Sequence, residues 1–198
     1  KGGVTRMEIG DSNTFREYVT VHSATGDGEA TVIGSRNHIL AYCHLAHNVQ
    51  LGSGIIMSNV ATLAGHVVVE DSAVIGGLAA VHQFCRVGAH AFIGGYSVIT
   101  KDALPYVRTV GSRPARVFGL NLIGLKRRGF TDDTLKKLRA AYRYLTQSKL
   151  NTTQAVARIA ADQSLRCPEV DKLVDFIRTA QRGVILRRSS KKAEDSEE

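Results

Sequence analysis

Three cysteines are few and odd in number for a chain of 198 residues, which excludes a disulfide-stapled scaffold. No apolar run reaches the ~18 residues that a membrane-spanning helix requires. The opening residues carry no signal-peptide pattern, so reduced thiols in the cytoplasm are the expected state and no integral membrane protein is expected. Tryptophan is absent and aromatic residues make up 6% of the chain. They are sparse in its basic half, where no nucleic-acid motif is visible, so nucleic acid ranks last among possible partners.

What the chain does have is a period. Every sixth residue from Ile33 to Ile99 is a branched aliphatic or methionine: Ile33, Ile39, Leu45, Leu51, Met57, Leu63, Val69, Ile75, Val81, Val87, Ile93 and Ile99. No helix repeats every six residues, and a period sustained this long marks a parallel β-helix built from hexads. The residue four places further on is mostly small or apolar, as at Cys43, Val49, Ile55, Ala61, Val67, Ala73, Ala79, Cys85, Ala91 and Ser97. Strand positions four apart share a face, so each hexad points one bulky and one small residue inward. Three hexads close a triangular coil, and residues eighteen apart stack at about the 4.8 Å interstrand spacing. The phase reaches back through Val21, Phe15 and Ile9 and breaks in Gly26-Asp27-Gly28-Glu29, which reads as a loop near residues 23–30. The chain begins at Lys1 in coil-like sequence, and further coils before it are expected, the chain then being a fragment.

The hexad stops after Val107, giving a β-helix over residues 1–107 and a connecting segment over 108–130. A helical region over 131–186 follows, with Thr131 capping a first helix and Asn151 with Gln154 forming a capping box for a second. Pro168 suits the first turn of a third helix, and a charged tail occupies 187–198. Residues 1–100 carry 5 Lys and Arg against 7 Asp and Glu, while residues 101–198 carry 21 against 11. The positive field therefore belongs to the helical half, where it suits a phosphate-bearing ligand or an acidic protein. A solvated helix face is the plainer alternative.

Four histidines interrupt the coil's surface. The eighteen-residue rule stacks His47 under Gly65 and Gln83, Asn48 under His66 and Phe84, and Ala46 under Ala64 and His82, with His44 just before that corner. All four histidines thus gather on one ridge. A neutral imidazole can take a proton from a hydroxyl, and a glycine N–H can face a developing oxyanion unobstructed. Gly65 over His47 fits that pairing. No Asp, Glu or exposed Cys accompanies the four, so no metal is expected. His22, His38 and His90 read as ordinary surface or turn residues.

The runs His44–Asn48, Ala61–His66, Ala80–Cys85 and Phe118–Phe130 resemble the bacterial UDP-N-acetylglucosamine O-acyltransferases. The resemblance spans the chain except its charged tail, and Lys126-Arg127-Arg128-Gly129-Phe130 is its most specific part. It implies a left-handed parallel β-helix of hexapeptide repeats followed by a small α-helical C-terminal domain. It also implies a homotrimer with sites between subunits and no cofactor. The implied reaction moves an (R)-3-hydroxyacyl chain from acyl carrier protein to the 3-hydroxyl of UDP-N-acetylglucosamine, the first step of lipid A synthesis. On that resemblance His47 matches the catalytic base and Gly65 the oxyanion donor. His44, His66, His82 and Gln83 match residues lining sugar and diphosphate, Asn121, Arg127 and the neighbouring Arg128 match the nucleotide side, and Gly95 matches the position limiting acyl length. Stacking sets Gly95 above Gly77 and Asn59 on an adjoining face. The basic half would dock the acidic carrier protein.

Asn48 stands where some members carry aspartate, and Ile123 where some carry glutamate. Two other readings remain open from sequence: the related UDP-3-O-acylglucosamine N-acyltransferase, and a non-catalytic β-helix that only binds.

Overall fold

The structure is a computed structural model and describes residues 3–186, so the charged tail over 187–198 lies outside the described residues. Fifteen short strands from Arg6–Ile9 to Val98–Ile99 are dealt in rotation onto three parallel sheets. From Ala30 onward the register is eighteen residues, as in Val32 with Gln50, His44 with Thr62 and Val81 with Ile99. Bulky Ile39, Leu45, Met57, Leu63, Ile75 and Ile93 are fully buried, and so are the small partners Cys43, Ala61, Ala73, Ala79, Cys85, Ala91 and Ser97. This alternation fills a narrow prism, because a large side chain from one hexad meets a small one from another.

The corners of the prism are backbone turns in the left-handed region. Asn48, His66 and Phe84 (φ 61°, 58° and 62°) form one corner column. Gly54, Ser72 and His90 form a second, and Tyr42, Val60, Leu78 and Tyr96 a third. Only Gly54 among these is the residue type that adopts such φ freely. The others are held by bonds from their N–H to the coil beneath, such as His66 N to His47 O at 3.1 Å and Tyr96 N to Gly77 O at 2.9 Å. Their side chains point outward and stack, as with His66 on Phe84 and Tyr18 on Tyr42.

The first coil departs from the eighteen-residue rule. Ile9 pairs with Ile33, Phe15 with Ile39 and Val21 with Leu45, a step of twenty-four. The loop through Gly26-Asp27-Gly28-Glu29 takes up one whole hexad, so the inward phase survives while the stacking partner changes. Asp27 accepts from Val4 N and Gly28 N donates to Val4 O, which fastens the loop to the first coil.

The segment over 108–130 does more than connect. Val107–Val110 adds a parallel strand beside Phe92–Ile93, and Arg116–Leu120 turns back antiparallel onto it. The reversal gives that sheet a different edge. A short helix α1 (Leu122–Arg127) follows, then α2 (Asp132–Gln147), α3 (Thr152–Ala161) and α4 (Pro168–Arg178). Thr131 accepts from Thr134 N, Asn151 and Gln154 cap each other reciprocally, and Pro168 opens α4, as the sequence signals indicate. Helix α4 is tied to the coil by Arg86, which reaches Asp102 Oδ2 at 2.8 Å, Phe176 O at 2.6 Å and Thr179 Oγ1 at 3.0 Å.

Candidate active site

The corner column Asn48–His66–Phe84 carries the densest polar chemistry on the coil. His47 precedes that corner, and its ring packs against Gly65: a Cβ at position 65 would sit 2.6 Å from both Cε1 and Nε2. A side chain at 65 would therefore displace the His47 ring, so glycine is what lets the ring lie there, as the stacking rule implied. His47 Nδ1 lies 2.9 Å from Asn48 Oδ1. The orientation of that amide follows from its neighbours. Thr25 N, which can only donate, faces one end at 3.2 Å, and Glu29 Oε2, which can only accept, faces the other at 2.7 Å. The end toward Thr25 and His47 is thus the oxygen. An oxygen acceptor requires a proton on Nδ1, which leaves the lone pair on Nε2 beside Gly65. Neutral His47 is held in the tautomer that a general base at Nε2 needs.

The other predicted residues of this face fall around that pair. His66 meets His47 edge-on at 5.1 Å between centroids and stacks on Phe84 at 4.7 Å. His82 is oriented by a contact of its Nδ1 with Gln83 O at 3.1 Å, and Gln83 is exposed. His44 sits within a strand rather than at the corner, with Thr20 Oγ1 at 2.7 Å from its Nδ1. Burial, with His22 nearby, holds His44 below the usual histidine range, so it stays neutral near pH 7. His22 packs edge-on against it at 4.6 Å. Sequence reading set His22 aside because the loop changes its stacking partner; the twenty-four-residue step would have found it. Thr25 and Thr20 were missed for the same reason, Glu29 because it falls in the loop although it stands eighteen residues before His47, and Phe84 because an exposed aromatic at a turn gives no signal by itself.

Asn121, Arg127 and Arg128 stand elsewhere, at the Gly54–Ser72–His90 corner. Asn121 caps α1 by accepting from Gly124 N and donates from Nδ2 to His90 O at 3.1 Å. Arg128 donates to Gly54 O at 3.2 Å, and Arg127 is exposed in the last turn of α1. His90 lies beneath them, stacked on Tyr106 and edge-on to Phe130, with its Nδ1 buried and lacking a hydrogen bond. Burial, reinforced by Arg128 and Lys172, pushes its pKa down to about 4. Gly95 occupies the third corner, where a Cβ would lie 3.2 Å from Gly77 O, and Gly77 itself faces Asn59 O. Within one chain, the histidine face, the arginine pair and Gly95 thus belong to three different corners of the prism.

Among the described residues no helix is long and apolar enough to cross a membrane, and no group of three His, Cys, Asp or Glu side chains is placed to hold a metal ion.

Comparison with known proteins shows the family. Residues 102–185 match the second domain of UDP-N-acetylglucosamine O-acyltransferase. The acyl-(acyl-carrier-protein)–UDP-N-acetylglucosamine O-acyltransferase of Alkalilimnicola ehrlichii is 43% identical over 187 residues, which are 93% of this chain and 71% of that protein. The protein of that name from Burkholderia mallei is 42% identical over 91% of this chain and 70% of its own length. This chain belongs to the UDP-N-acetylglucosamine O-acyltransferase family. Its coil and helices superpose on the Arabidopsis UDP-N-acetylglucosamine acyltransferase with a TM-score of 0.87 at 40% identity, covering 92% of this chain and 66% of that one. The Francisella novicida UDP-N-acetylglucosamine acyltransferase gives 0.87 at 36% identity, covering 100% and 73%. The match to the O-acyltransferase second domain takes in α1 and the Lys126–Phe130 run on which the sequence resemblance chiefly rested.

Proposed function

We propose that this chain transfers an (R)-3-hydroxyacyl group from acyl carrier protein to the 3-hydroxyl of UDP-N-acetylglucosamine, opening lipid A synthesis in the cytoplasm, with His47 as general base. Nε2 of His47 takes the proton of the sugar hydroxyl as its oxygen attacks the thioester carbonyl. The Gly65 N–H receives the oxyanion that forms. When the carbon–sulfur bond breaks, the carrier thiolate leaves and takes the proton back from His47, so atoms and charge balance. The observation that carries this reading is the His47 ring, held in its Nδ1–H tautomer by Asn48 and lying on a residue with no side chain.

His44, His66, His82 and Gln83 line the sugar and diphosphate, and Asn121, Arg127 and Arg128 take the nucleotide side. Gly95 leaves room for a long acyl chain. Because these groups occupy separate corners of one prism, a complete site draws residues from adjacent copies, which favours a homotrimer. The exposed apolar column Tyr18, Tyr42, Leu78 and Tyr96 supports the same conclusion, since a lone chain would leave that ridge in water. The basic helical half, with Lys126, Lys136, Lys137, Arg139 and Arg143, suits the acidic carrier protein. Free Cys43, Cys85 and Cys167 fit a reducing compartment, and burial pushes the Cys85 thiol up to about 11.

Replacing His47 with alanine and following acyl transfer by mass spectrometry tests the base. Loss of about 10²–10⁴-fold in turnover is expected. Unchanged turnover would overturn the assignment.

A further inference from the structure

We infer that Glu29, in the loop that interrupts the coil, is a positioning residue for His47, acting through Asn48; this rests on the reading of His47 as the base. Where some relatives were expected to carry an aspartate directly after the base, this chain has Asn48. An amide cannot orient an imidazole by itself, because its two ends are alike in shape and opposite in hydrogen bonding. With the nitrogen toward His47, Asn48 would demand a bare Nδ1 and put the proton on Nε2, where it disables the base. Something must choose the rotamer.

Glu29 chooses it. Its Oε2 accepts from Asn48 Nδ2 at 2.7 Å and from Gly26 N at 2.9 Å. A carboxylate accepts and does not donate, so the flipped amide would set oxygen against oxygen there. Thr25 reinforces the choice from the other end, with N and Oγ1 at 3.2 and 3.1 Å from Asn48 Oδ1. Asn48 N in turn donates to Thr31 Oγ1 at 2.8 Å, which fixes the backbone under the amide.

The loop is shaped to deliver this carboxylate. Glu29 N donates back to Gly26 O at 3.0 Å, closing a tight turn. A Cβ at Gly26 would meet the Glu29 carboxyl and push it aside, so glycine there leaves the carboxylate free to reach Asn48. Arg6 holds the turn from below through Gly28 O at 3.0 Å. The hexad inserted between the first two coils therefore supplies the acceptor that Asn48 lacks. The chain Glu29–Asn48–His47 has the logic of an orienting carboxylate, with one amide interposed.

The test compares Glu29→Ala and Glu29→Gln with the parent chain. Glutamine keeps an oxygen acceptor at the same reach; alanine keeps none. Steady-state kinetics should show kcat down about 10-fold in Glu29→Ala, part of what a positioned base contributes, with both KM values within about 2-fold. Glu29→Gln should restore kcat to within about 3-fold of the parent. Nitrogen-15 NMR of the His47 ring should report a protonated Nδ1 in the parent and in Glu29→Gln, and a mixture of tautomers in Glu29→Ala. In an Asn48→Ala background the loss of Glu29 should cost nothing further, because the effect passes through that amide. Should the alanine variant fail to fold, Glu29→Lys sets a donor against Asn48 and should give the same loss of kcat and the same tautomer change. An unchanged tautomer in Glu29→Ala, an equal loss in Glu29→Gln, or a full further loss in the Asn48→Ala background each overturns the proposal. His47→Ala run alongside separates the two ideas: turnover that survives it removes the base, whereas turnover abolished there and intact in Glu29→Ala removes only the Glu29 role.

Discussion

The imidazole of His47 and the α-carbon of Gly65 are packed so closely that a methyl group at 65 would lie 2.6 Å from Nε2. The ring cannot slide aside without breaking its 2.9 Å contact to Asn48. Gly65→Ala should therefore leave the coil folded and tilt the ring out of line. A displacement near 1 Å can cost about 10²-fold in turnover. Kinetics together with a thermal melt check this; a fully active, normally folded alanine variant would contradict it.

Asp102 is a structural post. Its side chain is 1% exposed and grips both the backbone N–H and the guanidinium of Arg86, whose other nitrogens hold the end of α4. The Arg86 guanidinium also lies over the Phe176 ring at 4.1 Å. Removing Asp102 leaves the Arg86 guanidinium, 23% exposed, without its carboxylate, at a cost below the about 3–5 kcal/mol of a fully buried pair. Asp102→Ala should lower the urea midpoint accordingly and loosen α4 first, which hydrogen exchange at Phe176–Thr179 would reveal. Undiminished protection there would show that α4 is held by apolar packing alone.

Stability should fall in mild acid through His90. Its folded pKa, about 4, lies below the ordinary value of 6.5, so between these the unfolded chain binds the extra proton. Stability from this group is complete above pH 6.5 and drains away as pH falls toward 4. Phe84 occupies the equivalent turn at φ 62°, so phenylalanine fits the backbone at 90 and preserves the stacking on Tyr106. His90→Phe should flatten the melting temperature against pH over this window. An unaltered slope would assign the acid sensitivity to other groups.

Assembly is tested at the exposed corner. Leu78 is 47% exposed in a column with Tyr42 and Tyr96. Leu78→Asp should leave the isolated coil intact and shift the sedimenting species from three chains toward one. Turnover should fall in parallel, as the histidine and arginine corners lose each other. A monomeric parent chain would refute the shared site outright.

Much of the fold was legible because the coil is nearly one-dimensional. The period of Ile33–Ile99 fixes which faces are buried, and the eighteen-residue register then stacks His47 under Gly65 with no knowledge of the rest. The caps at Thr131 and Asn151 were equally local. The strands at Val107–Val110 and Arg116–Leu120 were not legible, because each finds its partner only in three dimensions and neither keeps the hexad. His22 and Glu29 escaped for different reasons: the loop displaces the first coil's partners by a hexad and so moves His22, whereas Glu29, eighteen residues before His47, lies within a stretch that breaks the hexad and reads only as loop.

Sequence alone determined the repeat, the inward residues, the uneven charge and the neighbours of His47, since these follow from periodicity and chain-local hydrogen bonding. Tertiary structure decided which end of Asn48 faces His47, that Glu29 enforces it, and that Arg128 sits at a different corner from His47 and His66. Those relations depend on the direction of side-chain donors and acceptors between segments far apart in the chain, and residue order does not encode that direction.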